Sequence, residues 1–332
     1  MTAVERIDNV TAHGFTKRQA GFLTTVLLHG GVCVQRQYCA FAGIAHGQVI
    51  HNFFADLTAR RYATAYPCAR RGAQIFHLHH KALYRAIGEP DSRYRRPASV
   101  GRAIERLMRL DAVLAARHLT WLATEREKVA YCVDQRQLGA DDLPALTFDS
   151  GGCRTTRFFP HKLPLGVASD RKDITLLYVV TDANPGHFRR FLDAHRRLLH
   201  RLSPWRLLLV VPRALATAET AHRDVIADFC APPLRPAAVE EFRWFCAVRR
   251  AMGHARTPHA DVDHAKFGRA RRAFGSPRFY DAYQHWCREG DGSLHRLLSP
   301  ALHDAQQRGH VIIDTLELPY VYADLGALVQ TA

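Results

Sequence analysis

The chain has 332 residues and a mass of 37.5 kDa, with 47% hydrophobic and 23% charged residues, a balance that sustains buried cores and a length that suits two domains. No stretch approaches the ~20 apolar residues of a membrane span, and the N-terminus lacks the apolar core of a secretory signal. A cytoplasmic chain with no membrane partner is therefore expected, and its 46 Lys+Arg against 31 Asp+Glu, a net charge of +15, points to a polyanionic partner.

The charge is unevenly spread. Residues 1–110 hold 16 Lys/Arg and 6 Asp/Glu, a net +10, and the remaining 222 residues hold 30 and 25, a net +5. The eight cysteines are scattered, with no Cys-x-x-Cys pair, as reduced thiols would be; zinc and disulfide frameworks space theirs more tightly.

The basic third reads as short helices followed by a hairpin. Thr16-Lys17-Arg18-Gln19 has the Thr-x-x-Gln form of a capping box. The helix it opens carries Phe22, Leu23, Val26 and Leu27 and stops at Gly30-Gly31. A second helix fits Val34 to Ala42, ended by Gly43. A third fits Ala45 to Arg61, with Ile50, Phe53, Phe54 and Leu57 along one side. Residues 62–65 and 74–79 alternate like two strands, joined by a turn holding Pro67 and Arg70-Arg71-Gly72. Three helices and a basic-tipped hairpin predict a winged helix-turn-helix over residues 1–97, including the basic linker Arg93-Tyr94-Arg95-Arg96-Pro97.

Residues 98–140 read as a connecting helical segment. From Val100 to Ala116, Ile104, Leu107, Met108, Leu110, Val113 and Leu114 fall at helical spacing. This helix either connects domains or pairs with its copy in a homodimer. Residues 141–332 read as α/β: short strands at 155–159 and 163–167, buried strands at Ile174–Val180 and Trp205–Pro212 flanking a helix from Phe188 to Leu202, and a last strand at 311–313. A strand–helix–strand unit with apolar runs at both ends predicts a parallel crossover.

Several residues suit DNA contact. With Ile50, Phe53, Phe54 and Leu57 inward, Gln48, His51 and Asn52 face out, and Gln and Asn bond adenine bidentately in the major groove. Lys17, Arg18, Arg60, Arg61, Arg70 and Arg71 suit phosphates, as do Arg93, Arg95 and Arg96 if the linker follows the backbone, with Tyr94 free to stack. The alternative is a solvated polar face, or a winged helix that binds protein; the charge asymmetry favours double-stranded DNA. His77-x-His79-His80 and His259-x-Asp261-x-Asp263-His264 cluster metal-ligand types, but neither has the spacing of a named zinc motif. No nucleophile elbow, phosphate loop or dinucleotide fingerprint occurs.

Phe15-Thr16-Lys17-Arg18-Gln19, the helix–hairpin unit through Leu78 and the strand–helix–strand of Ile174–Val211 together resemble the replication-relaxation family of plasmid and integrative-element proteins. The resemblance implies a winged helix-turn-helix followed by a restriction-endonuclease-like domain, acting on duplex DNA in transcriptional regulation or in element replication and maintenance. It also implies a Mg²⁺ site built from an Asp and an Asp/Glu-x-Lys on neighbouring strands. Here the Pro-Asp position reads Pro160-His161, and the strand expected to carry the acid reads Tyr178-Val179-Val180-Thr181-Asp182, with no Asp/Glu-x-Lys at that place. The expectation is therefore a non-catalytic second domain that needs no cofactor, with a metal-dependent nuclease using Asp173, Asp182, Glu125 and His161 as the rival.

Overall fold

The computed structural model describes residues 1–68, 72–151, 153–168, 173–254 and 263–322. The chain forms two compact units, one of residues 1–221 with 312–332 and one of residues 222–311. The boundaries expected at 97/98 and 140/141 do not coincide with this division.

The first unit opens with helix α1 (Ala3–Thr11), capped by a Thr2–Glu5 capping box. In α2 (Lys17–His29) the expected box forms: the Gln19 amide N donates to Thr16 Oγ1 at 3.3 Å, and the Thr16 amide N donates to Gln19 Oε1 at 2.9 Å. These bonds satisfy two of the donors that every helix start leaves open. Strand β1 (Val32–Cys33), α3 (Gln35–Ala42), α4 (Gln48–Ala59), β2 (Ala63–Pro67), β3 (Gln74–Leu78) and α5 (Lys81–Ala86) follow. The third helix is thus shorter than the expected 45–61, beginning after Gly47 and ending before Arg60. The three strands form an antiparallel sheet in the order β1-β3-β2. Gly31, between α2 and β1, has φ +70, and a Cβ there would lie 2.6 Å from the Tyr84 hydroxyl and 2.8 Å from the Tyr94 carbonyl, so both backbone and space require glycine.

The core of this part joins Phe22, Leu23, Val26 and Leu27 of α2, Tyr38 of α3 and Ile50, Phe53, Phe54 and Leu57 of α4 to Phe76 and Leu78 of β3. Leu110 and Leu114 of the next helix, α6 (Val100–Ala115), complete it. Leu107, Met108 and Ala112 of the same helix enter a second core with Leu177, Val179 and Val210. Buried at every position from Arg106 to Leu114, charged side chains included, this helix lies inside the fold. The helix expected to link domains or pair between copies is therefore spent on two cores of one unit. Each fully buried leucine on it contributes about 1.5–3 kcal/mol.

Beyond α6 come β4 (Thr120–Leu122), α7 (Glu125–Ala130), β5 (Ala145–Ser150), β6 (Cys153–Phe158), β7 (Leu165–Val167), β8 (Ile174–Val179), α8 (Gly186–Ala194), α9 (Arg196–Arg201), β9 (Trp205–Pro212), α10 (Ala218–Phe229) and β10 (Val311–Leu318). A five-stranded sheet runs β10-β9-β8-β7-β4. Neighbours β4, β7 and β8 are antiparallel, whereas β8 and β9 are parallel. The expected crossover forms, with its helix broken at His195 into α8 and α9. Strand β8 is buried at all six positions, as both faces of a covered sheet require. Strands β5 and β6 stand apart as a two-stranded ribbon.

The second unit is helical, with α11 (Pro236–His254), α12 (His264–Ala273), α13 (Pro277–Glu289), α14 (His295–Leu298) and α15 (Ala301–Gln307). Phe242, Phe245, Cys246, Ala270, Phe274 and Leu297 form its core. The architecture is mixed α+β.

Candidate nucleic-acid interface

Helix α4 presents two unlike faces. Ile50, Phe53, Phe54 and Leu57 are buried, while Gln48, His51, Asn52 and Ala55 are exposed. One turn apart, Gln48 Nε2 donates to Asn52 Oδ1 at 2.8 Å, which holds both amides in one orientation on the outer face. The His51 ring stands edge-on to His46 with centroids 4.8 Å apart, and His46 Nε2 lies 2.8 Å from Gln35 Oε1. Thus α3 and α4 share a polar outer surface. Val49, missed in the sequence because an apolar residue beside Ile50 reads as core, is 65% exposed on that surface.

Between α4 and the β2–β3 hairpin lies a cleft of about 680 Å³, lined by His51, Ala55, Thr58, Arg61, Thr64 and Gln74 among others. Its donors and acceptors are side chains with no core role. Arg61 reaches it from a left-handed backbone position, φ 55, at the turn that ends the helix.

The expected cations fall into two groups. Lys17 and Arg18, at the start of α2, and Arg61, Arg93 and Arg96 are exposed. Arg60 is not free for phosphate: its guanidinium bonds Asp56 at 3.1 Å, the Tyr62 hydroxyl at 3.2 Å and the His13 carbonyl, and it covers the Phe15 and Tyr62 rings. Arg95 donates to the Pro90 carbonyl at 3.0 Å and the His79 carbonyl at 3.4 Å. Tyr94, expected to stack on bases, is pinned inward. Its carbonyl accepts from His77 Nε2 at 2.8 Å, its hydroxyl accepts from Arg109 Nη1 at 2.9 Å and its ring lies under Arg106. Arg106 and Arg109 also donate to the Gly30 and His29 carbonyls at the C-terminus of α2, where a helix favours positive charge. The linker is thus anchored rather than loose. Arg70 and Arg71 lie outside the described residues.

Neither histidine cluster forms a metal centre in the described residues. Burial holds His77 below the usual histidine range, and His79 pairs with the Thr64 hydroxyl at 2.9 Å. Asp263 caps α12 through the Lys266 amide at 2.8 Å, and His259 and Asp261 lie outside the described residues.

The carboxylates of the nuclease alternative are dispersed. Asp173 precedes β8 and accepts from Arg206 Nε at 3.2 Å. Asp182 follows β8 and accepts from the Asn184 amide at 2.9 Å. The six residues of β8 between them span about 17 Å at ~3.3 Å per residue, too far for one ion. Glu125 Oε1 accepts from the Phe158 amide at 2.8 Å, and His161 packs on the Phe191 and His195 rings. Across the antiparallel pair β7–β8, Leu165 opposes Leu176 and Val167 opposes Ile174, an apolar pairing that offers an ion no ligand. These residues do not fit a Mg²⁺ site.

Compared with known protein families, curated proteins and solved structures, the chain matches none.

Proposed function

We propose that the chain binds double-stranded DNA through a winged helix-turn-helix made of α2, α3, α4 and the β1–β3–β2 sheet. In this reading α4 enters the major groove, and Gln48 and Asn52 bond base edges. Val49 meets a thymine methyl, and Lys17, Arg18 and Arg61 hold phosphates. The observation that carries the reading is the outer face of α4, with its paired amides 2.8 Å apart opposite a fully buried face. The net +10 of residues 1–110 supports it, because phosphate contact is paid for by charge density on the docking surface.

The β7–β8–β9 sheet serves in this proposal as a non-catalytic scaffold. Its carboxylates are engaged separately, as ion pair and turn caps. The biological setting is regulation of transcription or maintenance of a mobile element, resting on the resemblance drawn above. Titration of a labelled duplex with the full chain at low salt tests the binding step. Saturable binding that weakens with salt supports it, and no binding refutes it.

A further inference from the structure

The β5–β6 ribbon is a sheet of its own, its twelve residues pairing with each other from Ala145↔Phe158 to Ser150↔Cys153, and at its base the Phe158 amide and Arg157 reach Glu125 of α7. Residues 145–149 and 154–157 are all exposed, so the ribbon meets water on both faces. A lone two-stranded hairpin is marginal in water, and this one also carries Leu146 at 51% and Phe148 at 53% exposure. Alternation puts Leu146 and Phe148 on one face, and the register adds their cross-strand neighbours Arg157 and Thr155. The other face holds Thr147 and Thr156, whose hydroxyls lie 3.3 Å apart, and the neighbours Asp149 and Arg154.

The base of the ribbon lies in a positive field. The Arg157 guanidinium is 67% exposed, with Glu125 at 3.7 Å. Lys162, in the turn that follows the ribbon, has φ 56. Burial, with Arg93, Arg157 and Arg106 nearby, holds its amine down to about 8. Arg157, Lys162, Arg93 and Arg106 outnumber Glu125, the carboxylate that acts on Lys162, so a net positive charge runs from the apolar face of the ribbon to the anchored basic linker.

We infer that the β5–β6 ribbon is a second DNA-contacting arm, laying Leu146 and Phe148 against base edges in a groove while Arg157 and Lys162 hold flanking phosphates. The inference rests on the DNA-binding reading above. A two-stranded ribbon fits a groove of the duplex, and apolar side chains from such arms wedge between base steps. Duplex DNA is the occupant rather than a second copy because a polyanion relieves the clustered charge, whereas another chain of net charge +15 adds to it.

The experiment compares the full chain with two paired variants, Leu146→Ser/Phe148→Ser and Arg157→Gln/Lys162→Gln, and with Asn52→Ala, by titrating a fluorescent duplex across a salt series. The apolar pair is expected to lose affinity roughly tenfold with the salt slope unchanged, in line with the cost of losing base contacts. The charged pair is expected to reduce the slope by about 1.8, two contacts at about 0.9 each. Sensitivity to Asn52→Ala with no effect from either ribbon pair overturns the arm and leaves α4 as the interface. Ribbon variants that change only the sedimented mass assign the ribbon to self-association and overturn the arm as well. Failure of the unaltered chain to bind overturns the DNA reading itself.

Discussion

The Arg36 guanidinium spans both carboxylate oxygens of Asp111, at 2.7 Å each, tying α3 to the central helix α6. Asp111 also accepts from the Tyr322 hydroxyl at 2.5 Å, and Arg36 lies 3.4 Å from the Tyr320 ring centroid. The segment after β10 thus closes over the pair. Burial first, then Asp111, pushes the Tyr322 hydroxyl well above the usual range, so it donates its proton at all working pH values. A bidentate pair of this kind fixes orientation as well as adding energy.

Asp111→Ala leaves the Arg36 charge without its partner and Tyr322 without its acceptor. A loss of about 3 kcal/mol is expected, at the low end for breaking a buried pair because Arg36 still reaches water. Chemical denaturation measures it. A change below about 0.5 kcal/mol, the usual surface level, would show that the pair does not hold α3 in place.

Truncation at residue 97 removes Leu110 and Leu114 from the core of the N-terminal part. The fragment is expected to lose cooperative melting, while Leu110→Ala in the full chain costs about 2–5 kcal/mol. Calorimetry of both separates a core role for α6 from a linker role, which would leave the fragment folded.

How far the sequence could be read follows from this helix. The Thr16 capping box and the inward face of α4 were legible because each is a local pattern with a short-range cause, and the parallel β8–β9 pair because two apolar runs flank a helix. Helix α6 was legible as a helix but not in its placement, because its buried residues serve two cores, and periodicity shows that a helix is buried without showing against what. The two-residue β1 and the three-residue β4 gave too few alternations to register. Arg60 and Tyr94 looked like free contacts because His13 and Phe15 for one, His77 and Arg109 for the other, become neighbours only through the fold, whereas Asp56, one helical turn before Arg60, was within reach of sequence reasoning. Val49 was hidden by its chemistry, since exposure of an apolar side chain is a tertiary fact.

Acid should destabilise the chain through buried histidines. His29 and His195 are held down to about 3, by burial first and then by Arg109 for the former. The unfolded chain binds these protons below about pH 6.5 and the folded chain does not until about pH 3. Stability therefore falls as pH drops through that window, by about 1.4 kcal/mol per pH unit for each group. Melting temperatures from pH 7 to 4 measure the slope. His195→Gln should flatten it, and an unchanged slope would contradict the assignment.

Phosphate-holding residues and base-reading residues should separate in kinetics and specificity. Lys17→Gln/Arg18→Gln is expected to weaken binding to all duplexes alike and to reduce the salt slope by about 1.8. Asn52→Ala should keep the slope and lose about 1–3 kcal/mol of discrimination between bases. Competition titrations with unrelated duplexes distinguish the two, and an identical effect of both variants on every duplex would count against base reading by α4.

The most direct measurement is the affinity of the full chain for duplex DNA across a salt series, with Asn52→Ala run beside it. The account predicts saturable binding whose logarithm falls linearly with log salt, and an altered sequence preference in the variant. Binding that is absent at low salt, or that is unchanged by salt and by Asn52→Ala, would contradict it.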